Sequence, residues 1–313
     1  MDMGFSGMGD SVNNEIIIQG KNLCKNYNGF KALDDISFFV KRGEIAGFLG
    51  PNGAGKTTLI KLITCTSFKS SGKLTVFGLD TDREQRKIKA CIGLVPQDNN
   101  YDPDFSVYEN LLVFSRYFGI KKSDAEKRIE KLLNFVELTD KRNEKVTDLS
   151  GGMKRKLIIA RSLINNPQLI ILDEPTTGLD PQARRKIWGM IEDLKKDGKT
   201  IILTTHYMEE AEKLCDRIYI MDSGKIITSG NPKELIIKHI GTDTVEIYNC
   251  GDVRLNDIEG KKVFFKDRIF IHTDNKKETL ERLVNICDDV RFTVRPSNLE
   301  DLFIYLTGKE LKE

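Results

Sequence analysis

Eight consecutive residues constrain this chain more than anything else in it. Gly50-Pro51-Asn52-Gly53-Ala54-Gly55-Lys56-Thr57 fits G-x-x-x-x-G-K-[ST]. Phosphate oxygens need several convergent backbone N–H donors, and glycine lets the main chain wrap that closely. The apolar stretch Ile45 to Leu49 runs straight into the loop, and Leu59, Ile60, Leu62 and Ile63 follow it at helical spacing. A strand, a loop and a helix in that order set free N–H groups and a positive dipole end under an anion. Lys56 supplies a mobile cation for the β- and γ-phosphates, and the Thr57 hydroxyl can ligate Mg²⁺. Gly50 to Thr58 together form the expected nucleotide cradle. A chance glycine-rich turn lacks those flanking elements.

The surrounding pattern is α/β. Ile16-Ile17-Ile18 opens a strand, and Ile92 to Val95 reads as another. Residues 106–138 read as mainly helical, as does Met153 to Ile164. Leu169 to Leu172 is a continuous apolar run, the mark of a parallel strand covered on both faces. Asp180-Pro181 starts a helix that ends near Gly198, and Thr200 to Thr205 is a strand. Asp222-Ser223-Gly224 joins two strands as a hairpin. Beyond residue 238 shorter strands and two helices predict a small α+β unit, so the expected division is a tail over 1–14, a main domain over 15–237 and an accessory domain over 238–313.

Lys and Arg number 49 against 47 Asp and Glu, a net charge of +2. That balance gives no electrostatic case for nucleic acid. No stretch approaches the ~20 apolar residues of a membrane helix, and the first residues do not resemble an export signal. The six cysteines, Cys24, Cys65, Cys91, Cys215, Cys250 and Cys287, form no CxxC pair. They read as buried thiols of a reducing compartment.

The second half of a nucleotide site stands at Leu169 to Glu174. Ligands of open α/β sheets bind at the carboxyl ends of the strands, where Asp173 emerges. Asp173 is expected in the Mg²⁺ shell through water. Glu174, next along, is placed to act as general base on the attacking water.

Between the two motifs stands Leu149-Ser150-Gly151-Gly152-Met153. Here the chain resembles the nucleotide-binding subunits of ABC transporters, whose signature reads LSGGQ and whose exporters often have Met last. The resemblance covers residues 15–237. It implies an ABC-type nucleotide-binding domain with a core sheet, an antiparallel β subdomain and a helical subdomain. It also implies ATP with Mg²⁺ as cofactors and hydrolysis of ATP coupled to transport. Ser150, Gly151 and Gly152 open a helix and so form a second anion site. In the family, that signature closes over the γ-phosphate held by a second subunit stacked head to tail. By the same match Tyr27 stacks on adenine, Gln97 touches Mg²⁺ and senses the membrane partner, Asp180 links the two active sites, and His206 contacts the γ-phosphate.

Longer stretches are similar to the daunorubicin-resistance and nodulation-factor exporter branch of ABC-2 type. These are Pro96 to Gly119, Met153 to Leu157, Gly178 to Arg185, His206 to Glu212 and Pro296 to Gly308. The branch implies membrane-spanning permease subunits as separate chains, at the cytoplasmic face of the cell membrane, with a second ATPase subunit in a dimer. An intact loop and signature in one chain permit a homodimer without requiring it. The aromatic helix Val107 to Tyr117 is explained mostly by core packing, with some residues expected to receive a cytoplasmic helix of the membrane subunit. The rival reading is a soluble ABC-type ATPase of translation or DNA maintenance. Such proteins carry long insertions between Lys56 and Ser150 or two nucleotide domains per chain, and this sequence has neither.

Overall fold

The computed structural model describes residues 16–248, 258–265, 268–286 and 291–309. The expected tail over 1–14, Cys250 and Cys287 lie outside them. A long hairpin comes first: β1 (Ile16–Tyr27) and β2 (Phe30–Lys41) turn at Asn28-Gly29, with φ of 47° and 92°. Positive φ at both central residues is what a tight two-residue hairpin turn requires. β3 (Ile45–Leu49) runs into the phosphate loop and α1 (Lys56–Ile63) leaves it. β4 (Ser71–Val76) and β5 (Leu79–Asp80) return to the hairpin and complete a four-stranded antiparallel sheet ordered β2-β1-β4-β5. α2 (Gln85–Ala90) then leads to β6 (Ile92–Val95).

A helical block follows. The expected helical region resolves into α3 (Val107–Tyr117) and α4 (Lys122–Phe135). Ser106 caps α3, and the Glu109 side chain reaches back to close a capping box. Gly119, at φ 65°, lets the chain turn between the two helices. α5 (Gly151–Ser162) starts two residues before the apolar pattern suggests. Ser150 Oγ accepts from the Met153 N–H at 3.3 Å, which draws both glycines into the first turn.

The chain then alternates: β7 (Leu169–Asp173), α6 (Pro181–Lys196), β8 (Thr200–Thr205), α7 (Met208–Leu214), β9 (Arg217–Asp222) and β10 (Lys225–Gly230). These strands form a six-stranded sheet, β10-β9-β3-β8-β7-β6, parallel except for the β9–β10 hairpin. β3, β7 and β8 are buried along their whole length. Their side chains alternate between two cores. Ile45, Leu49, Ile170, Leu172, Ile201 and Leu203 face the helical block. Ala46, Phe48, Leu169, Ile171 and Ile202 face α1 and the antiparallel sheet. A period of two with both faces covered is why these segments read as unbroken apolar runs. Of the described cysteines, Cys65 and Cys215 are buried while Cys24 and Cys91 are half-buried, so burial is not general.

The last part is the expected α+β unit. α8 (Pro232–Ile240) is followed by β11 (Asp243–Tyr248), β12 (Lys261–Phe265), β13 (Arg268–Thr273), α9 (Lys276–Ile286), β14 (Arg291–Pro296) and α10 (Leu299–Thr307). The four strands pair antiparallel in the order β12-β13-β11-β14. The expected boundary at 238 falls inside α8, whose Leu235, Ile236 and Ile240 are held in the core of the preceding region. α10 crosses back as well. Leu299, Leu302 and Phe303 are buried in that same core, beside residues of α7 and α8. Each such side chain contributes about 2 kcal/mol on burial. The Leu299 N–H also donates to Glu212 Oε2 at 3.1 Å.

Candidate functional site

The phosphate loop sits at the C-terminal end of β3. Gly55, at φ 105°, caps α1, and a Cβ there would lie 2.6 Å from the Ala32 carbonyl oxygen. Only glycine meets both demands. Lys56 is buried, and its Nζ donates to the carbonyls of Gly50 (2.6 Å) and Pro51 (3.2 Å). The amine lies 3.9 Å from Glu174 Oε1. Burial lowers its pKa, while Glu174 and Asp173 push it back up.

The two acids occupy different surroundings at the end of β7. Asp173 accepts a short hydrogen bond from Thr204 Oγ1, and burial raises its carboxyl above the ordinary value. Glu174 takes a left-handed backbone at φ 48°, which turns its side chain out of the strand. Its Oε2 accepts from Thr177 Oγ1 at 3.1 Å and from Gln97 Nε2 at 3.4 Å. His206 Nδ1, just past β8, lies 3.2 Å from the same oxygen but off the line of a well-formed hydrogen bond. The His206 imidazole holds the Glu174 carboxyl below its ordinary value, against the opposing effect of burial.

A cavity of about 180 Å³ opens here, lined by Pro51, Asn52, Gly53, Gly55, Lys56, Thr57, Thr58, Gln97 and Glu174 together with Phe30 and Ala32. Phe30 was not anticipated from the sequence. It follows the Asn28-Gly29 turn, pairs across the hairpin with Tyr27 and is 66% exposed. The expected adenine platform, Tyr27, is half-exposed, with Lys25 Nζ 4.6 Å from its ring centre, and does not line the cavity. Nor do Ser150, Gly151, Gly152 and Asp180. Ser150 caps α5, and Asp180 Oδ1 caps α6 by accepting from the N–H groups of Gln182 and Ala183 at 2.9 Å each. Within one chain, then, the signature and the phosphate loop do not share a cavity.

A second residue that sequence reasoning missed is Arg155, on the first turns of α5. All five of its N–H groups are used. They donate to the carbonyls of Pro96, Gln97, Asp173, Glu174 and Pro175, at 2.5 to 3.3 Å. Burial pulls its pKa down to about 10. One buried guanidinium therefore ties the signature helix to the Gln97 loop and to the backbone of both acids.

The donors around Lys56 suit Mg²⁺. Thr57, Asp173 and Gln97 offer oxygens, which that hard cation prefers. Among the described residues no group of three or more His, Cys, Asp or Glu could hold a metal by itself. Mg²⁺ fits such a site because it keeps several waters and shares phosphate oxygens.

Known proteins resemble this chain in sequence and in fold. Residues 33–177 match the ABC transporter family, and residues 264–308 match the C-terminal domain of the nodulation factor export protein NodI. A Nod factor export ATP-binding protein I of Burkholderia thailandensis is 43% identical over 293 residues, covering 92% of this chain and 96% of its own. One from Rhizobium etli is 43% identical over 303 residues, covering 95% of each. Among solved structures, cbiO1 of Clostridium perfringens, part of the ABC transporter complex cbiONQ, aligns with a TM-score of 0.66 at 32% identity over 71% of this chain and 90% of its own. The ATP-binding cassette MJ0796, dimeric and bound to ADP and Pi, aligns at 0.63 and 29% identity over 68% and 98%.

Proposed function

Since the chain belongs to the ABC transporter ATP-binding subunits, as an exporter-type subunit that binds and hydrolyses ATP, we propose how its residues divide that work. Gly50 to Thr58 hold the phosphates, with Lys56 turning from the loop carbonyls to the β- and γ-oxygens. Tyr27 and Phe30, paired at the hairpin end, flank the adenine. Thr57, Gln97 and Asp173 would hold Mg²⁺, which would neutralise charge that develops on the phosphates. Glu174 takes a proton from the attacking water, and His206 steadies the γ-phosphate. Ser150, Gly151, Gly152 and Asp180 complete the site of a second copy stacked head to tail. The observation that carries this reading is the convergence of Lys56, Gln97 and His206 on the single carboxylate of Glu174.

Family membership brings membrane-spanning subunits and dimer formation with it. No described helix is long and apolar enough to cross a membrane. The chain is held at the cytoplasmic face by its partners. Their docking site is the groove of about 450 Å³ between the loop at 100–105, α3 and Arg161, where Tyr117 is 79% exposed. That groove begins three residues after Gln97, so a helix seated there acts on the loop that touches Glu174. The relatives are named for export of Nod factor, and a drug- or lipid-like cargo is the substrate class proposed here.

The test is affinity capture of the tagged chain from detergent-solubilised native membranes, followed by phosphate release from ATP. A polytopic membrane subunit that co-purifies and stimulates turnover is the expected result. Ribosomes or DNA-repair proteins in its place, with no membrane protein, would overturn the transporter role and leave the ATP chemistry.

A further inference from the structure

Glu210, on α7, is fully buried. Its Oε1 accepts from Trp188 Nε1 on α6 and from Thr176 Oγ1 on the loop after β7, both at 2.8 Å. Its Oε2 is buried and makes no well-formed hydrogen bond. Burial raises this carboxyl above its ordinary value, against the hydroxyls of Thr205 and Thr176 and the indole N–H. A buried carboxylate with one oxygen unmatched is costly, and an apolar side chain of the same volume would pack there at less expense in stability.

Its place in the chain suggests what the cost serves. Thr176 lies two residues after Glu174, and Glu210 lies four residues after His206. Glu174 and His206 meet at 3.2 Å. Two main-chain segments thus meet twice, by a close approach at the site and by a hydrogen bond behind it, and they close a ring. The Glu174 N–H to Thr204 carbonyl bond, at 3.0 Å, braces that ring from the strand side. Trp188 adds a third attachment, to the helix that Asp180 caps. A segment held at both ends cannot swing independently of its partner.

We propose that Glu210 is a positioning residue for ATP hydrolysis, holding His206 against Glu174 and tying both to the helix that begins at Asp180. It touches neither nucleotide nor water. The inference rests on the reading of Glu174 and His206 as the catalytic pair.

The experiment uses the purified full chain and measures kcat, the ATP dissociation constant and the emission of Trp188, the only tryptophan. Glu210→Leu lowers kcat by roughly 10²-fold, the cost of a misplacement near 1 Å, while ATP affinity holds. Glu210→Gln keeps an oxygen that accepts both hydrogen bonds and recovers most of the turnover. Thr176→Val removes one bond with little change of shape, lowers kcat less, and carries the test if Glu210→Leu does not fold. ATP shifts the Trp188 emission in the wild type and in Glu210→Gln but not in Glu210→Leu. Wild-type kcat in Thr176→Val and in folded Glu210→Leu overturns the proposal. So does a loss of kcat that Glu210→Gln fails to restore. Glu174→Gln separates the two levels. If it retains turnover, the catalytic assignment fails and this inference falls with it; if it abolishes turnover while the other variants keep it, only the positioning role falls.

Discussion

The six-stranded sheet and the four-stranded C-terminal sheet use polar residues in opposite ways. In the first, the central strands β3, β7 and β8 are buried along their length and polar groups gather at the C-terminal ends of β7 and β8: Asp173, Thr204, Thr205 and, just beyond, Glu174 and His206. In the second, one face holds a small core of Val245, Ile247 and Ile271, while the other carries polar groups across its middle. Those groups use one another. Thr244 Oγ1 meets His272 Nδ1 at 3.0 Å, Ser297 Oγ at 2.9 Å and Asp301 Oδ2 at 3.2 Å. Arg295 forks onto Asp301 at 2.6 and 2.7 Å, and Glu246 pairs with Arg268 at 2.8 Å. Such a network specifies a structure. The cluster at the strand ends instead has Lys56 tethered to its own loop and His206 poorly aligned, an arrangement with interactions left to make. Chemistry belongs where polar groups are left short of partners, not merely where they are dense.

The largest test of that contrast is Glu174→Gln. Removing a general base should lower turnover roughly 10²–10⁴-fold while ATP still binds, read by phosphate release and by light scattering for an ATP-held dimer. Retained turnover would make the strand-end cluster as structural as its counterpart. Next comes Phe303→Ala on α10. Emptying that core position should cost about 3–5 kcal/mol, and urea unfolding followed at Trp188 should register it in the cassette. Loss confined to the C-terminal sheet, with the Trp188 signal unchanged, would move α10 into the other unit.

A smaller effect is expected of Asp301→Asn. Half the fork to Arg295 is lost, but Arg295 is 29% exposed, so the cost is about 2 kcal/mol rather than that of a fully buried pair. Thermal unfolding should show the loss with kcat unmoved; a parallel fall in kcat would erase the distinction between the two sheets. A separate effect is one of pH. Burial lowers His272 from an ordinary 6.5 to about 4, against Asp301. The folded state keeps the ring neutral where the unfolded chain takes up a proton. Stability contributed this way is complete above pH 6.5 and is lost as pH falls from 6.5 toward 4. His272→Asn should flatten the melting temperature across that window, and an unchanged slope would place the titration elsewhere.

What could be read in the sequence follows the same division. Gly50 to Thr57, Ser150 to Gly152 and Asp173-Glu174 are local patterns whose chemistry depends on neighbours in the chain, so spacing alone exposes them. Arg155 and Glu210 act through groups far away in sequence. A Lys-Arg-Lys run and a Glu209-Glu210-Glu212 run look like solvated helix faces until the fold buries Arg155 and Lys156 of the first and Glu210 of the second. Phe30 is not legible because an aromatic in a strand has no local signature, and only the hairpin pairing sets it opposite Tyr27 at the mouth of the cavity. The boundary at 238 followed a change in composition. The apolar stripe of α10 states that a partner exists but not which one, and that partner proved to be α7 and α8.

That return of α10 orders events during synthesis. The groove between α7 and α8 is made well before the helix that fills it, with the whole antiparallel unit translated in between. At ~5–20 residues per second the gap lasts several seconds or longer. Through that interval the cassette already carries its phosphate loop and both acids, yet it shows the ribosome's surroundings an uncovered apolar seam. A message cut short within the C-terminal unit would therefore yield a sticky cassette rather than a slightly smaller enzyme.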